Sequence, residues 1–164
     1  MPDQQTLRDN PGVIAPPPLI AVAAVALGVA LDWLLPTRVV FGLITIWLRE
    51  VVGAAVAVAG IALAVAARRR FMQIGTNVQP WKPAIHLATA GVYTHLRNPM
   101  YAGLILMVLG VGFALASDWT LALLVPMALI LHYGVVLREE SYLEAKFGDD
   151  YRRYMANVPR WGIG

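Results

Sequence analysis

The chain has 164 residues, of which 59% are hydrophobic and 14% are charged, and its formal net charge is +3. Soluble domains carry roughly 25% charged residues. This composition therefore predicts an integral membrane protein, since the apolar residues also fall in long blocks. The absence of cysteine excludes disulfides and thiolate chemistry, and no metal site is predicted. No basic face is interleaved with aromatic residues, so nucleic acid is not an expected partner.

Four apolar blocks can cross a bilayer, which takes about 20 residues and roughly 17 at the short end. They cover residues 19–35, 50–67, 100–117 and 120–137. The last two are so close in sequence that they must form a tight antiparallel hairpin. Residues 39–47 are also apolar, and they either lengthen the second span or lie in the membrane interface. The prediction is one all-α membrane domain over residues 1–164, with four transmembrane helices.

Lys and Arg in short loops set the orientation, because they accumulate on the cytoplasmic side. With a cytoplasmic N-terminus, eleven of the 13 basic residues, including Arg8, fall on that side, and only Arg38 and Arg49 fall on the other. Both termini are therefore predicted to be cytoplasmic. The loop 68–99 and the tail 138–164 then share one face of the membrane, where any chemistry is expected.

The start of the third span reads HLRNPMYAG, residues 95–103. Asn98 suits the position before a helix and Pro99 the first helical position. The N–H groups of Met100 and Tyr101 then have no partner within the helix, and such a terminus attracts carboxylates. An ordinary cap on a membrane helix explains the same residues.

Two features mark the end of the fourth span. His132 lies inside the predicted membrane edge, where an ionisable group is costly and often functional, although a neutral histidine bonded to a neighbouring helix is the alternative. Glu139 and Glu140 lie at the expected end of the helix, where the macrodipole favours cations. They would suit a cationic ligand, or else form a solvated, salt-bridged face. If the helix continues, a seven-residue step places Tyr133 above Glu140.

The tail after residue 148 allows two interpretations as well. It is either an amphipathic helix at the membrane interface or a lid folded over the loop.

Three stretches carry a family resemblance: GTNVQPWKP, LATAGVYTHLRNPMYAG and REESYLEAKFGDDYRRYMANVPRW. They resemble the isoprenylcysteine carboxyl methyltransferase family and the related phospholipid methyltransferases. The similarity is to the bacterial branch, whose members open with a stretch similar to DNPGVIAPPPLI, and it covers nearly the whole chain. It implies S-adenosylmethionine-dependent methyl transfer at the cytoplasmic face of the bacterial inner membrane. The pocket would be formed by the start of the third span and the end of the last, and the C-terminal segment would cap it.

The resemblance assigns cofactor binding to two groups of residues. They are His95, Leu96, Arg97, Asn98, Pro99 and Tyr101 in the first motif, and Glu139 and Glu140 in the second. Many relatives have His where this chain has Asn98, so no acid–base role is expected of Asn98. The two carboxylates suit the ammonium and hydroxyls of the cofactor, and the helix terminus with Arg97 or His95 suits its carboxylate.

The predicted acceptor is a lipophilic small molecule or a prenyl-like substrate, with a carboxylate nucleophile favoured over an amine. A carboxylate is ionised at neutral pH and needs no general base. Arg153 or Arg160 would then orient it. An amine must lose a proton, and His132 is the candidate base for that reaction.

Two other functions remain open at this point. An NADPH-dependent sterol or enone reductase has a similar C-terminal arrangement but usually more spans. A non-enzymatic membrane scaffold on the same fold is the second alternative. The lipid bilayer is the expected surrounding, and the small-residue faces of the spans would allow a homodimer.

Overall fold

The computed structural model describes residues 9–37 and 39–162, and over these residues it contains helices and no β-strand. In this part the chain forms six α-helices: α1 (Pro17–Leu34), α2 (Ile46–Gln73), α3 (Pro99–Leu115), α4 (Asp118–Leu131), α5 (Leu137–Phe147) and α6 (Asp149–Asn157). A π-helical turn, His132–Val136, joins α4 to α5, and short 3-10 helices span Phe41–Leu43 and Gly91–Thr94. The all-α prediction is confirmed. Arg8 and Arg38 of the orientation argument lie outside the described residues.

Three helical segments of the described chain are long and apolar enough to cross a membrane. They are α1, α2 and the 30-residue helix Asp118–Phe147, which comprises α4, the π turn and α5. Helix α3 is apolar but has 17 residues, about 26 Å at roughly 1.5 Å per residue. This is the short end of what crosses a bilayer, so the fourth span stays a prediction.

Helix α2 is longer at both ends than the sequence predicts. It takes up the last two residues of the apolar segment 39–47, while a 3-10 helix forms in the middle of that segment. At its other end α2 continues through residues 68–70 to Gln73, so the three arginines are helical and the loop begins later than expected. The helix stops before Gly75, whose φ of 71° no helix tolerates.

Helices α2 and α3 pack with their backbones in contact, through two pairs of glycines. A Cβ atom at Gly60 would lie 2.5 Å from the carbonyl oxygen of Gly103, and a Cβ at Gly103 would lie equally close to that of Gly60. Gly53 and Gly110 form the second pair. Small residues permit such close approach between helices in lipid. The contact fixes the end of α2 beside the start of α3.

The far end of the bundle is closed by the predicted hairpin between α3 and α4. Ala116 takes the left-handed conformation with φ of 51°, and the Ser117 hydroxyl accepts a hydrogen bond from the Thr120 N–H at 2.9 Å, which caps α4. The indole N–H of Trp119 donates to the Leu35 carbonyl at 2.8 Å. The tight antiparallel hairpin is confirmed, and it is tied to the end of α1.

Two expectations about the end of the last span are wrong. The helix runs seven residues past Glu140 to Phe147, so the acidic pair does not lie at a helix end and the macrodipole argument does not apply. Tyr133 is 64% exposed whereas Glu140 is 7% exposed, so they do not share a face. The seven-residue step was wrong because a π turn contains an extra residue and rotates everything after it.

The glycine contact predicts a specific loss of stability in Gly60→Ala. The new methyl group would meet backbone atoms of α3, which cannot move aside as a side chain can. We expect the free energy of unfolding to fall by about 1–3 kcal/mol, as for overpacked interiors. The measurement is the midpoint of thermal unfolding in detergent.

The matched control is Ala59→Val, which adds methyl groups at the adjacent, exposed position of α2. Equal unfolding midpoints for the two variants would contradict the packing argument.

Candidate functional site

A cavity of about 90 Å³ lies where α2 ends and α3 begins. Its walls come from the loop after α2, the start of α3, helix α5 and helix α6. The polar segments that the sequence places on one face therefore do meet. Tyr151 and Tyr154 of α6 line the cavity, and both interpretations of the tail, the lid and the interfacial helix, stay predictions.

Residues 76–88, which we call the covering loop, form one side of the cavity without forming a helix. The loop is held by its own hydrogen bonds. The buried Thr76 hydroxyl accepts from the backbone N–H groups of Ile85 and His86, at 3.0 and 3.2 Å. The loop is thus a built wall of the cavity.

Glu140 is a buried carboxylate that joins three segments of the chain. Arg160 Nε lies 3.0 Å from both carboxylate oxygens, and Arg160 Nη2 donates to Oε2 at 2.7 Å. Asn98 Nδ2 donates to Glu140 Oε1 at 3.4 Å and to the Arg160 carbonyl at 3.3 Å. Such partners are what a buried charge requires. Glu140 thereby ties α5 to the start of α3 and to the C-terminal segment.

Arg97 lines the cavity with part of its donor capacity unused. Its side chain is 10% exposed, and Nη1 lies 3.4 Å from Glu140 Oε1. Among the described residues, however, neither Nε nor Nη1 makes a hydrogen bond. Nη1 thus has only the ion pair with Glu140, Nε has no partner, and a buried guanidinium whose donors are incompletely paired is unfavourable. Arg97 is therefore suited to an anionic group in the cavity.

Tyrosine hydroxyls add further donors at the same wall. The Tyr93 hydroxyl is buried and has no hydrogen-bond partner in the described structure, and its ring stacks on Phe71 with centroids 5.3 Å apart. Burial raises the pKa of Tyr151, and the nearby Glu140 charge adds to the rise. Tyr151 is therefore protonated at neutral pH and its hydroxyl can donate.

Glu139 is the second carboxylate of the cavity wall. Tyr101, in the first turn of α3, donates its hydroxyl to Glu139 Oε1 at 2.6 Å. This bond occupies one carboxylate oxygen of Glu139, and both residues line the cavity.

Six of the eight predicted cofactor residues line the cavity: Arg97, Asn98, Pro99, Tyr101, Glu139 and Glu140. His95 and Leu96 do not. His95 is exposed, and its Nδ1 lies 2.9 Å from the Thr94 hydroxyl. Pro99 does begin α3 and Asn98 does occupy the position before it, but the Asn98 side chain does not cap the helix. It binds Glu140 and the Arg160 carbonyl instead, because these buried groups need a donor.

None of the three residues predicted to act on the acceptor lines the cavity. Arg160 is bound to Glu140, and Arg153 is 75% exposed and pairs with Asp150. The His132 ring lies beside Trp161, with centroids 6.1 Å apart. Their roles toward the acceptor stay predictions.

Sequence reasoning missed several residues of the wall. Tyr151 and Tyr154 are three positions apart, which places them on one face of a helix, and this spacing could have indicated a shared role. The place of Tyr93 in the wall could not be predicted from the sequence, because its stacking partner Phe71 is distant in sequence. The Tyr154 hydroxyl donates to the Tyr93 carbonyl at 2.7 Å, a contact that depends on the tertiary fold.

The chain is similar in sequence to known proteins. The phospholipid methyltransferase family matches residues 48–150. An uncharacterized protein of Haemophilus influenzae is 39% identical over 62 residues, which are 38% of this chain and 98% of that protein. A protein-S-isoprenylcysteine O-methyltransferase of Schizosaccharomyces pombe is 34% identical over 74 residues, which are 44% of this chain but 31% of that protein. No solved structure matches the chain.

The family match covers more than half of the chain, from the first turn of α2 to the start of α6. It includes the covering loop, Arg97 and both glutamates of the cavity wall. The chain belongs to the phospholipid methyltransferase family.

Proposed function

We propose that this chain is an integral membrane methyltransferase that uses S-adenosylmethionine and methylates a hydrophobic or amphipathic acceptor. The observation that carries the proposal is Arg97 in the cavity wall of a methyltransferase-family fold: its Nε has no hydrogen-bond partner among the described residues, and its Nη1 has only the ion pair with Glu140. The S. pombe relative is named as an O-methyltransferase, which supports an oxygen acceptor without fixing it, because the chain spans about a third of that relative's length.

The donor set of the cavity fits S-adenosylmethionine, which supplies a methyl group on a positively charged sulfur. Arg97 would hold its carboxylate through guanidinium N–H groups that make no hydrogen bond among the described residues. Glu139 would accept from its ammonium with the oxygen that Tyr101 leaves free. Tyr93 and Tyr151 would bond to its hydroxyls. Glu140 holds Arg160 and lies beside Arg97, and its own contact with the ammonium, expected from the sequence, remains part of the proposal.

In the proposed reaction the protein mainly aligns the acceptor with the methyl group and excludes water, and it need not transfer a proton. A carboxylate acceptor is already ionised at neutral pH, and removal of water strengthens its attack. The apolar part of the cavity wall serves this purpose: Phe71, Leu87, Ala88, Met100 and Leu143.

An amine acceptor would need a base in contact with it. His86 lines the cavity and His132 does not, so the structure offers His86 for a role that the sequence assigned to His132. The carboxylate acceptor remains the one we favour, because it needs neither residue.

Membrane placement is part of the same proposal. We infer four spans, with both termini cytoplasmic in the bacterial inner membrane and the cavity at that face. Trp33 and Trp47 are 83% and 66% exposed at the opposite end of the bundle. Exposed tryptophans are typical of the membrane interface. A homodimer stays a prediction from the small-residue faces.

Calorimetric titration with S-adenosylhomocysteine tests the cofactor site. The parent protein in detergent should bind it saturably, and Arg97→Lys should bind at least about tenfold more weakly, or about 1.4 kcal/mol, because lysine cannot reproduce the guanidinium geometry. Tyr93→Phe keeps the ring and loses one hydrogen bond, so a loss of about three- to tenfold is expected.

Arg152→Lys is the matched control, since Arg152 is an exposed residue of α6 outside the cavity wall. Binding of NADPH without binding of S-adenosylhomocysteine would refute the proposed methyltransferase and favour the reductase. Binding of neither ligand would favour the scaffold.

The pH dependence of kcat/KM tests the nature of the acceptor group. With a carboxylate acceptor we expect no histidine ionisation between about pH 6 and 8, and rates within about twofold of the parent for His86→Phe and His132→Phe. A general base would instead lose roughly 10²- to 10⁴-fold on substitution. Such a loss in either variant would assign an amine acceptor and name its base.

A further inference from the structure

Residues 9–14, which we call the N-terminal strap, are bound to the helix that carries the two glutamates. Asp9 Oδ1 accepts hydrogen bonds from Lys146 Nζ at 2.6 Å and from the Tyr142 hydroxyl at 2.7 Å. The Gly12 carbonyl accepts from Arg138 Nη1 at 2.8 Å. These bonds join parts of the chain more than a hundred residues apart, so they exist only in the folded protein.

The strap is also seated on the π turn. The Ile14 N–H donates to the Gly134 carbonyl at 3.2 Å. The Ile14 side chain packs directly on Gly134, where a Cβ would overlap the Cδ1 atom of Ile14, so a larger residue there would force Ile14 to shift. Within the strap, the Asn10 side chain accepts from the Gly12 N–H at 3.0 Å, and Gly12 has a φ of 60°. The strap therefore has a defined turn and a defined binding position on the π turn.

Tyr142 connects the strap to the covering loop. Its hydroxyl donates to Asp9 and accepts from the backbone N–H of Ala84 at 3.0 Å. Lys146 Nζ lies 3.0 Å from the same hydroxyl. One phenol therefore holds strap, helix and loop together. Both ends of this connection reach the cavity, since Pro11 and Ala84 line it.

The size of the cavity shows why this connection matters. Pockets for ligands of this kind enclose roughly 300–1,000 Å³, whereas this cavity has about 90 Å³. A nucleoside-sized ligand can enter only if a wall moves. The helices on two sides are fixed by glycine packing and by Glu140, which leaves the covering loop and the strap.

We propose that Tyr142 is a positioning residue for the reaction and that the N-terminal strap acts through it. Together they hold the covering loop against the cavity, and release of the Tyr142 hydroxyl from Ala84 opens the wall for ligand exchange. The identity of the ligand in this inference rests on the proposed function. The coupling of strap and loop does not depend on which ligand binds.

Hydrogen–deuterium exchange of the ligand-free protein tests the coupling. Tyr142→Phe removes the acceptor of the Ala84 N–H, and Asp9→Asn weakens the hold of the strap on Tyr142. Exchange in the covering loop should become about three- to tenfold faster in both variants, the size expected for one net hydrogen bond. The matched controls are Tyr133→Phe, an exposed tyrosine, and Glu144→Gln, which breaks an exposed ion pair with Arg152.

The dissociation rate of S-adenosylhomocysteine, measured by stopped flow, tests the consequence. It should rise about three- to tenfold in Tyr142→Phe and in Asp9→Asn, with unfolding midpoints close to the parent's. In the double variant the rise should be smaller than the product of the two, because both act at one junction. Exchange and dissociation rates equal to those of the controls, or multiplicative effects, would overturn the proposal.

A parent protein that binds no S-adenosylhomocysteine would refute the proposed function and, with it, the role in ligand exchange. The exchange experiment uses no ligand, so it would still show whether strap and loop are coupled.

Discussion

The direct contact between the backbones of α2 and α3 is the constraint on which the site depends. In lipid, apolar side chains gain little by associating with one another, so close packing has to hold helices together. The two glycine pairs permit that packing and fix the helices along their length. As a result Phe71, at the end of α2, lies beside Tyr93, just before α3. The cavity wall begins with that stack.

Charge balance organises the rest of the wall. Glu140 is a buried carboxylate, and a buried charge requires partners. Arg160 and Arg97 supply them from two segments far apart in sequence. The C-terminal segment is therefore held over the site by electrostatics, whereas the helices below it are held by packing.

The sequence predicted those parts of the protein that depend on local pattern. Long apolar blocks gave the membrane helices, and Pro99 after Asn98 gave the start of α3. Six of the predicted cofactor residues line the cavity because the family motif and the helix start coincide there.

What the sequence could not give depends on tertiary contacts. No local pattern indicates that Glu140 pairs with Arg160 and Arg97, or that Arg97 Nε lacks a hydrogen-bond partner among the described residues. The bonds of Asp9 across the molecule have no local signature either. The length of α2 also differs from the prediction: residues 68–70 belong to the helix and not to the loop, since arginine is a good helix former.

The π turn has a consequence for how this family is compared. A π turn contains one residue more than the α-helical turn it replaces. The last long helix therefore has one extra residue within His132–Val136, compared with a regular α-helix that points the later side chains in the same directions. A relative with a regular helix at this point would align correctly only with a one-residue gap within residues 132–136. Without that gap, Glu139 of this chain would be matched to the position of Glu140, and a carboxylate that contacts a tyrosine would be mistaken for one that holds two arginines.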